Sequence, residues 1–377
     1  MSAHKVSPAD FYDLLVESQV DLFAGVPDSL LQDFAAYVQD HCPAERHIIT
    51  ANEGNAVALA GGYHVATGRF GAVYLQNSGL GNTVNPLLSL ADPDVYGLPM
   101  LLIIGWRGEP GVKDEPQHVA QGRLTLPILE TLRIDYEVLD PERWQQQVAG
   151  LVERLAGQAR PLALVVRKGV FHTYSSTPPA TDLTLSREQA LDVIIGAIDA
   201  NDFIVSTTGK TSREVFEIRE RRGDGHGMDF LTVGGMGHAG SIAMGMSLGT
   251  DRRVYCIDGD GAFLMHLGSV AIMAIQGRSN LRYIMINNGA HESVGGQPTV
   301  AFDLDLPALL RAAGFQQVQT ARSLDGLAEC VRRLADVPKS ALIIEVAQGS
   351  RPELGRPSTT ARQNKEDMMR QFAAGRL

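Results

Sequence analysis

Two short stretches of this 377-residue chain combine oxygen-bearing side chains with glycine in a way that could hold a cation and a phosphate. Asp258-Gly259-Asp260-Gly261 ends an apolar run over residues 254–257, and Asn287-Asn288-Gly289 ends another over residues 283–286. A helix length separates the runs, so they read as neighbouring strands of a β-α-β unit whose carboxyl ends reach one sheet edge. A carboxylate and an amide oxygen then converge. Both are hard donors of the kind Mg²⁺ or Ca²⁺ takes, and the glycines let backbone approach a bound diphosphate. A rival lies upstream, where Gly235-Met236-Gly237-His238-Ala239-Gly240 fits G-x-G-x-x-G, with Asp258 near the distance of a ribose-binding acid. That nicotinamide or flavin reading gives Asp260 and Asn288 no role, and such a fingerprint normally opens its domain. Thr208-Gly209-Lys210-Thr211 lacks the upstream glycine of a P-loop, because position 204 is Ile.

Polar residues also end apolar runs in the first half. Glu53 follows residues 48–50 and precedes the small-residue segment GNAVALAGGYHVATG, where a carboxylate is also favoured simply as a helix-start residue. Gly25-Val26-Pro27-Asp28-Ser29 and Gln76-Asn77-Ser78-Gly79-Leu80-Gly81-Asn82 end two further runs. A long polar loop, residues 106–118, carries Arg107, Lys113 and His118. Arg offers a forked grip on an oxyanion, Lys a point charge, and His a proton carrier near neutral pH.

Positioning these residues requires strands at 21–26, 47–50, 71–76, 100–104, 136–139 and 162–166, then at 203–206, 230–233, 254–257, 283–286 and 341–346, with helices between. Alternation of this kind predicts an α/β fold with parallel sheets. Ser7-Pro8 reads as a helix start, and Ser186-Arg187-Glu188-Gln189 as a capping box. Ser, Thr and Pro cluster over residues 173–185, so the expected division is a first domain at 1–175, a linker at 176–185, and a second domain at 186–377 that includes a polar, basic tail. A formal charge of −10 argues against a nucleic-acid surface while leaving a local basic pocket for an anionic substrate. Cys42, Cys256 and Cys330 show no metal-ligand spacing, and Cys256 reads as a small buried apolar residue. With no apolar leader and no run of membrane-spanning length, the expectation is a cytoplasmic protein without a membrane partner.

The stretches GVPDSLL, TANEGNAVALAGGYH, QNSGLGNTVNPLLSLADP, GWRGEPGVKDEPQHV, GDGAF, NNGAHESVGGQPT and LGRP resemble the phosphonopyruvate decarboxylases, within the family of thiamine-diphosphate-dependent 2-oxo acid decarboxylases. The resemblance covers nearly the whole chain, and the sulfopyruvate decarboxylases share the pattern. It implies two doubly wound parallel-sheet α/β domains of the thiamine-diphosphate-binding fold, an N-terminal pyrimidine domain and a C-terminal diphosphate domain, with no middle domain. It implies Mg²⁺ held by Asp260, Asn288 and the Ala290 carbonyl, with Asn287 the alternative if the register is off by one. Gly235, Gly259, Gly261, Ala262 and Asn77 would line the cofactor, and Met236 would wedge between its rings. Glu53 would activate the aminopyrimidine; Asp28, His118 and His291 are acid-base candidates. Arg107, Lys113, Arg351 and Arg356, in falling order, are candidates to hold the substrate's anion. The implied reaction, in phosphonate biosynthesis, converts 3-phosphonopyruvate to phosphonoacetaldehyde and carbon dioxide. The implied assembly is a homodimer or higher with active sites at the subunit interface.

Overall fold

The computed structural model describes residues 4–177 and 181–374. The chain forms two compact units, residues 1–178 with 293–297, and residues 179–292 with 298–377. The first holds six strands: β1 (Val20–Gly25), β2 (His47–Ile49), β3 (Phe70–Gln76), β4 (Leu101–Gly105), β5 (Tyr136–Val138) and β6 (Leu162–Val166). They lie in the order β2-β1-β3-β4-β6-β5, all parallel. The second holds β7 (Phe203–Ser206), β8 (Asp229–Leu231), β9 (Val254–Gly259), β10 (Leu281–Asn287), β11 (Gln317–Ala321) and β12 (Ser340–Glu345). Their order is β11-β12-β10-β9-β7-β8, again all parallel.

Near-continuous apolar strands are what a sheet covered by helices on both faces requires. In β4, Leu101 and Ile103 enter one core and Leu102 and Ile104 the other. In β9, Val254 and Cys256 pack on one face, Tyr255 and Ile257 on the opposite face. Cys256 is thus core, and burial pushes its thiol far up. Strand order reverses beside β1 and β3 in the first unit and beside β7 and β9 in the second. Ligands of open α/β sheets bind at the carboxyl ends around such reversals.

Several local readings are met by named bonds. Ser7 accepts from the Asp10 N–H ahead of Pro8, and Ser186 and Gln189 form the reciprocal capping box. Three expectations need correction. The edge strand β8 is Asp229–Leu231, since residues 232–238 turn away to form the glycine-rich loop. β11 was not expected, because QVQTA is a half-buried edge strand with no apolar run. The tail, expected only as a polar, basic segment of the second domain, ends in a docked helix, Ala361–Ala374. Its Asn364 caps the edge of β8, accepting from the Leu231 N–H at 3.0 Å and donating to the Asp229 carbonyl at 2.7 Å. Phe372 stacks on Phe203, whose ring also lies beneath the Arg252 guanidinium.

Candidate active site

In the second unit, β9 runs straight into a short helix whose first residue is Asp260. The Asp260 side chain is buried. It accepts from the Thr299 hydroxyl at 2.5 Å and from the N–H groups of Asp260, Gly261 and Asn288. Burial pushes its carboxyl up to about 6, since none of these donors is a cation. Across the sheet, Ile286 of β10 pairs with Gly259, which carries the two asparagines to the same edge. The Asn287 amide oxygen accepts from the Gly289 N–H, and that of Asn288 from the Ala290 N–H, each at 3.1 Å.

Three expected residues converge above this edge. A Cβ added at Gly261 would lie 2.8 Å from His291 Cε1 and 3.3 Å from Met236 Cε, so only glycine leaves the space between them open. Gly235 and Gly237 take left-handed φ values of +69° and +81°, which the turn presenting Met236 requires. Burial pushes the His291 imidazole down to about 4, leaving it neutral at pH 7. Ala262 is buried in the same helix turn.

These groups fit a magnesium diphosphate. The donor set is a carboxylate, a carboxamide and backbone carbonyls, all hard oxygens, and Mg²⁺ is typically held by one or two carboxylates plus phosphate and water. The buried Asp260 carboxylate lacks the countercharge that a bound cation would supply. The dinucleotide reading fits less well: Asp258 is buried, its carboxylate taken by the Tyr283 hydroxyl at 3.2 Å, the Gly259 N–H at 3.0 Å and Thr207. It is not placed to meet a ribose.

In the first unit, the expected residues gather at the carboxyl ends of β1 to β4. Glu53 is the buried first residue of the helix Glu53–Thr67, and its Oε2 accepts from Asn82 Nδ2 at 2.7 Å. A Cβ at Gly79 would sit 2.2 Å from Glu53 Oε1, so the glycine is what admits the carboxylate. Asp28 is fully buried and accepts from Gln76 Nε2 at 2.8 Å and the Leu30 N–H at 3.1 Å; burial raises its carboxyl. It lies over Gly105, where any Cβ would collide with Oδ2. Arg107 forks onto Asp114 at 2.8 and 2.5 Å and donates to Ser29 at 2.7 Å. His118 is buried beside it with Nδ1 unpartnered among the described residues, and burial and Arg107 lower its pKa.

Two groups of residues are placed differently from expectation. Asn77 is buried, and its amide is spent on the Arg107 backbone and the Thr125 hydroxyl, so it braces the loop after β4 rather than facing a cofactor. Arg351 is committed to Glu188 at 2.6 Å, to Glu353 at 3.5 Å and to Glu217. Lys113 and Arg356 are exposed. Unanticipated from sequence are Thr299 and an ionic group of Arg187, Lys210, Glu214 and Glu292 that contacts Asn288. The only hint of the latter was that Arg187 and Lys210 open their helices, where cations are disfavoured.

Both halves of the chain match models of a known family. Residues 9–126 match the family described as thiamine pyrophosphate enzyme, N-terminal TPP binding domain, and residues 207–345 match its C-terminal TPP binding domain. The chain is similar to the phosphonopyruvate decarboxylase of Streptomyces viridochromogenes, 34% identical over 374 residues that cover 94% of this chain and 92% of the relative. It is equally similar to that of Streptomyces hygroscopicus, 34% identical over 93% of this chain and 90% of the relative. Similarity to the sulfopyruvate decarboxylase of Methanosarcina acetivorans is lower, 24% over 85% and 86%. With such identity sustained over both units, the chain belongs to the thiamine-pyrophosphate-dependent decarboxylases, in the branch that holds the phosphonopyruvate decarboxylases.

Proposed function

We propose that this enzyme decarboxylates 3-phosphonopyruvate to phosphonoacetaldehyde and carbon dioxide, using thiamine diphosphate and Mg²⁺. The observation that carries the reading is the presence, in one chain, of a buried Glu53 held by Asn82 and an Asp260 oxygen cradle opened by Gly261. Identity of 34% to phosphonopyruvate decarboxylases against 24% to a sulfopyruvate decarboxylase supports the phosphonate over the sulfonate. Thiamine diphosphate, when bound, supplies the sink for the electron pair that departing carbon dioxide leaves behind.

The protein's own part is to bind, orient and move protons. Asp260, with Asn288 and the Ala290 carbonyl or with Asn287 in their place, would hold the cation. Gly235, Gly259, Gly261 and Ala262 would border the diphosphate, and Met236 would contact the cofactor's rings. Glu53 would accept a hydrogen bond from the aminopyrimidine, with Asn82 fixing the carboxylate. Asp28, whose burial favours the protonated form, can hold a proton for the carbon that loses carbon dioxide, and the neutral His118 and His291 can relay it. Arg107 and Lys113, on one loop, would meet the phosphonate; Arg356 ranks behind them, and Arg351 is left out because three carboxylates hold it.

The domain assignment follows the same reading: a pyrimidine domain at 1–175, a linker at 176–185 and a diphosphate domain at 186–377. The assembly is read as a cytoplasmic homodimer or higher in which a neighbouring subunit completes each site. In support, the helix Glu53–Thr67 exposes Leu59 and Val65, and the helix Leu267–Gln276 exposes Ile272 and Ile275, apolar surface that a second copy would cover. Steady-state rates with 3-phosphonopyruvate, sulfopyruvate and pyruvate test the substrate. The highest kcat/KM is expected for 3-phosphonopyruvate, and faster turnover of sulfopyruvate would move the function to that acid.

A further inference from the structure

We propose that Glu292 is a positioning residue for the cation: it turns the Asn288 carboxamide so that the oxygen, rather than the nitrogen, is presented at the metal edge. This rests on the reading of Asp260 and Asn288 as cation ligands. A carboxamide fills the same space in either of two orientations, and only the oxygen end can ligate Mg²⁺. Asn288 Nδ2 donates to Glu292 Oε2 at 2.8 Å. An ionised carboxylate only accepts, so the NH₂ end must face it, while Oδ1 points the other way, where it accepts from the Ala290 N–H at 3.1 Å and keeps a second lone pair for a cation.

Glu292 is itself held firmly. Its Oε2 also accepts from Arg187 Nη1 at 2.9 Å, and its Oε1 from Lys210 Nζ at 2.9 Å. Arg187 is locked in turn by a fork to Glu214 at 2.6 and 2.8 Å. Arg187 and Lys210 are each the first residue of a helix, a place where the backbone dipole disfavours a cation. A sequence that breaks a local electrostatic rule twice, and aims both charges at one carboxylate, has a use for that carboxylate's position. Outer partners that orient ligand groups in this way typically change metal affinity about 10- to 100-fold when removed.

The test uses the full chain with thiamine diphosphate and reads Mn²⁺ affinity by electron paramagnetic resonance, alongside thermal melting. Glu292→Gln puts one donor and one acceptor where three donors converge, so it is expected to raise the Mn²⁺ concentration at half-saturation about 10-fold or more. Asp229→Asn is the control. It weakens an equally buried fork to Arg219 elsewhere in the unit, and is expected to lower the melting temperature without moving Mn²⁺ affinity. Should Glu292→Gln fail to fold, Glu292→Asp withdraws the carboxylate from Asn288 while keeping the charge, and the same loss is expected. A Glu292 variant that melts lower yet binds Mn²⁺ like the wild type overturns the inference alone. A wild-type chain that binds no Mn²⁺ with thiamine diphosphate overturns both the inference and the functional reading beneath it.

Discussion

Replacing Gly79 with Ala probes whether the position of Glu53 governs activity. A Cβ there would lie 2.2, 2.5 and 2.6 Å from Oε1, Cδ and Cγ of Glu53. Ordinary contact needs about 3.5 Å, so the side chain must retreat by about 1 Å. Glu53 is buried and bonded to Asn82, so the retreat breaks that bond rather than sliding into solvent. A misplacement of about 1 Å at a reacting group costs about 100-fold in rate, equivalent to about 2.7 kcal/mol of barrier. Loss of a hydrogen bond to a charged group adds about 2 kcal/mol of destabilisation, a fall of roughly 4–8 °C in Tm for a unit of this size. The assay is kcat/KM for carbon dioxide release, with calorimetry on the same samples. Gly81→Ala is the matched control: nothing lies within 4 Å of its added Cβ, and the site is helical, so activity within about twofold and a small gain in stability are expected. Gly79→Ala retaining activity within about threefold, or Gly81→Ala losing as much as Gly79→Ala, would refute the reasoning.

Asp260→Ala is expected to abolish cofactor-dependent turnover while the chain stays folded, because it removes a buried carboxylate rather than a packing contact; undiminished activity would sink the metal assignment. Burial holds His47 at about 4 against 6.5 when unfolded. Between those pH values the unfolded chain binds the proton and the folded one does not, so this contribution is complete above pH 6.5 and is lost as pH falls toward 4. It amounts to at most about 3 kcal/mol. Urea unfolding at pH 7 and pH 4.5 should show the loss reduced in His47→Gln; equal losses in the two proteins would contradict it. Asn364→Ala leaves the Leu231 N–H and the Asp229 carbonyl of β8 without their buried partners, and about 2–4 kcal/mol less resistance to denaturant is expected. A change below about 0.5 kcal/mol would mean that the tail helix contributes little.

Strand ends were the most legible feature of the sequence, because a buried parallel strand needs an unbroken apolar run and the polar residues after it stand out. Asp260, Glu53 and Asp28 stood out on that basis; the space that Gly261 leaves between His291 and Met236 did not. Residues that act across the fold left no such mark. Thr299 reaches Asp260 from 39 positions away, and Arg187 reaches Glu292 from 105. Asn77 was misread for the same reason: its type and place suit a ligand contact, yet its partner is the backbone of Arg107 in the loop after β4. β11 escaped notice because an edge strand need not be apolar, and the tail helix because its anchors, Asn364, Met368 and Phe372, lie scattered in an otherwise polar segment.

The central claim is that this chain joins a thiamine site to a phosphonate-bearing 2-oxo acid. ³¹P nuclear magnetic resonance of 3-phosphonopyruvate incubated with the enzyme tests it most directly. With thiamine diphosphate and Mg²⁺ present, the substrate resonance should be replaced by that of phosphonoacetaldehyde, with equimolar carbon dioxide, and omission of either addition should stop the conversion. Carbon dioxide released at the same rate without thiamine diphosphate, or a phosphonate resonance that never moves in its presence, would contradict the account.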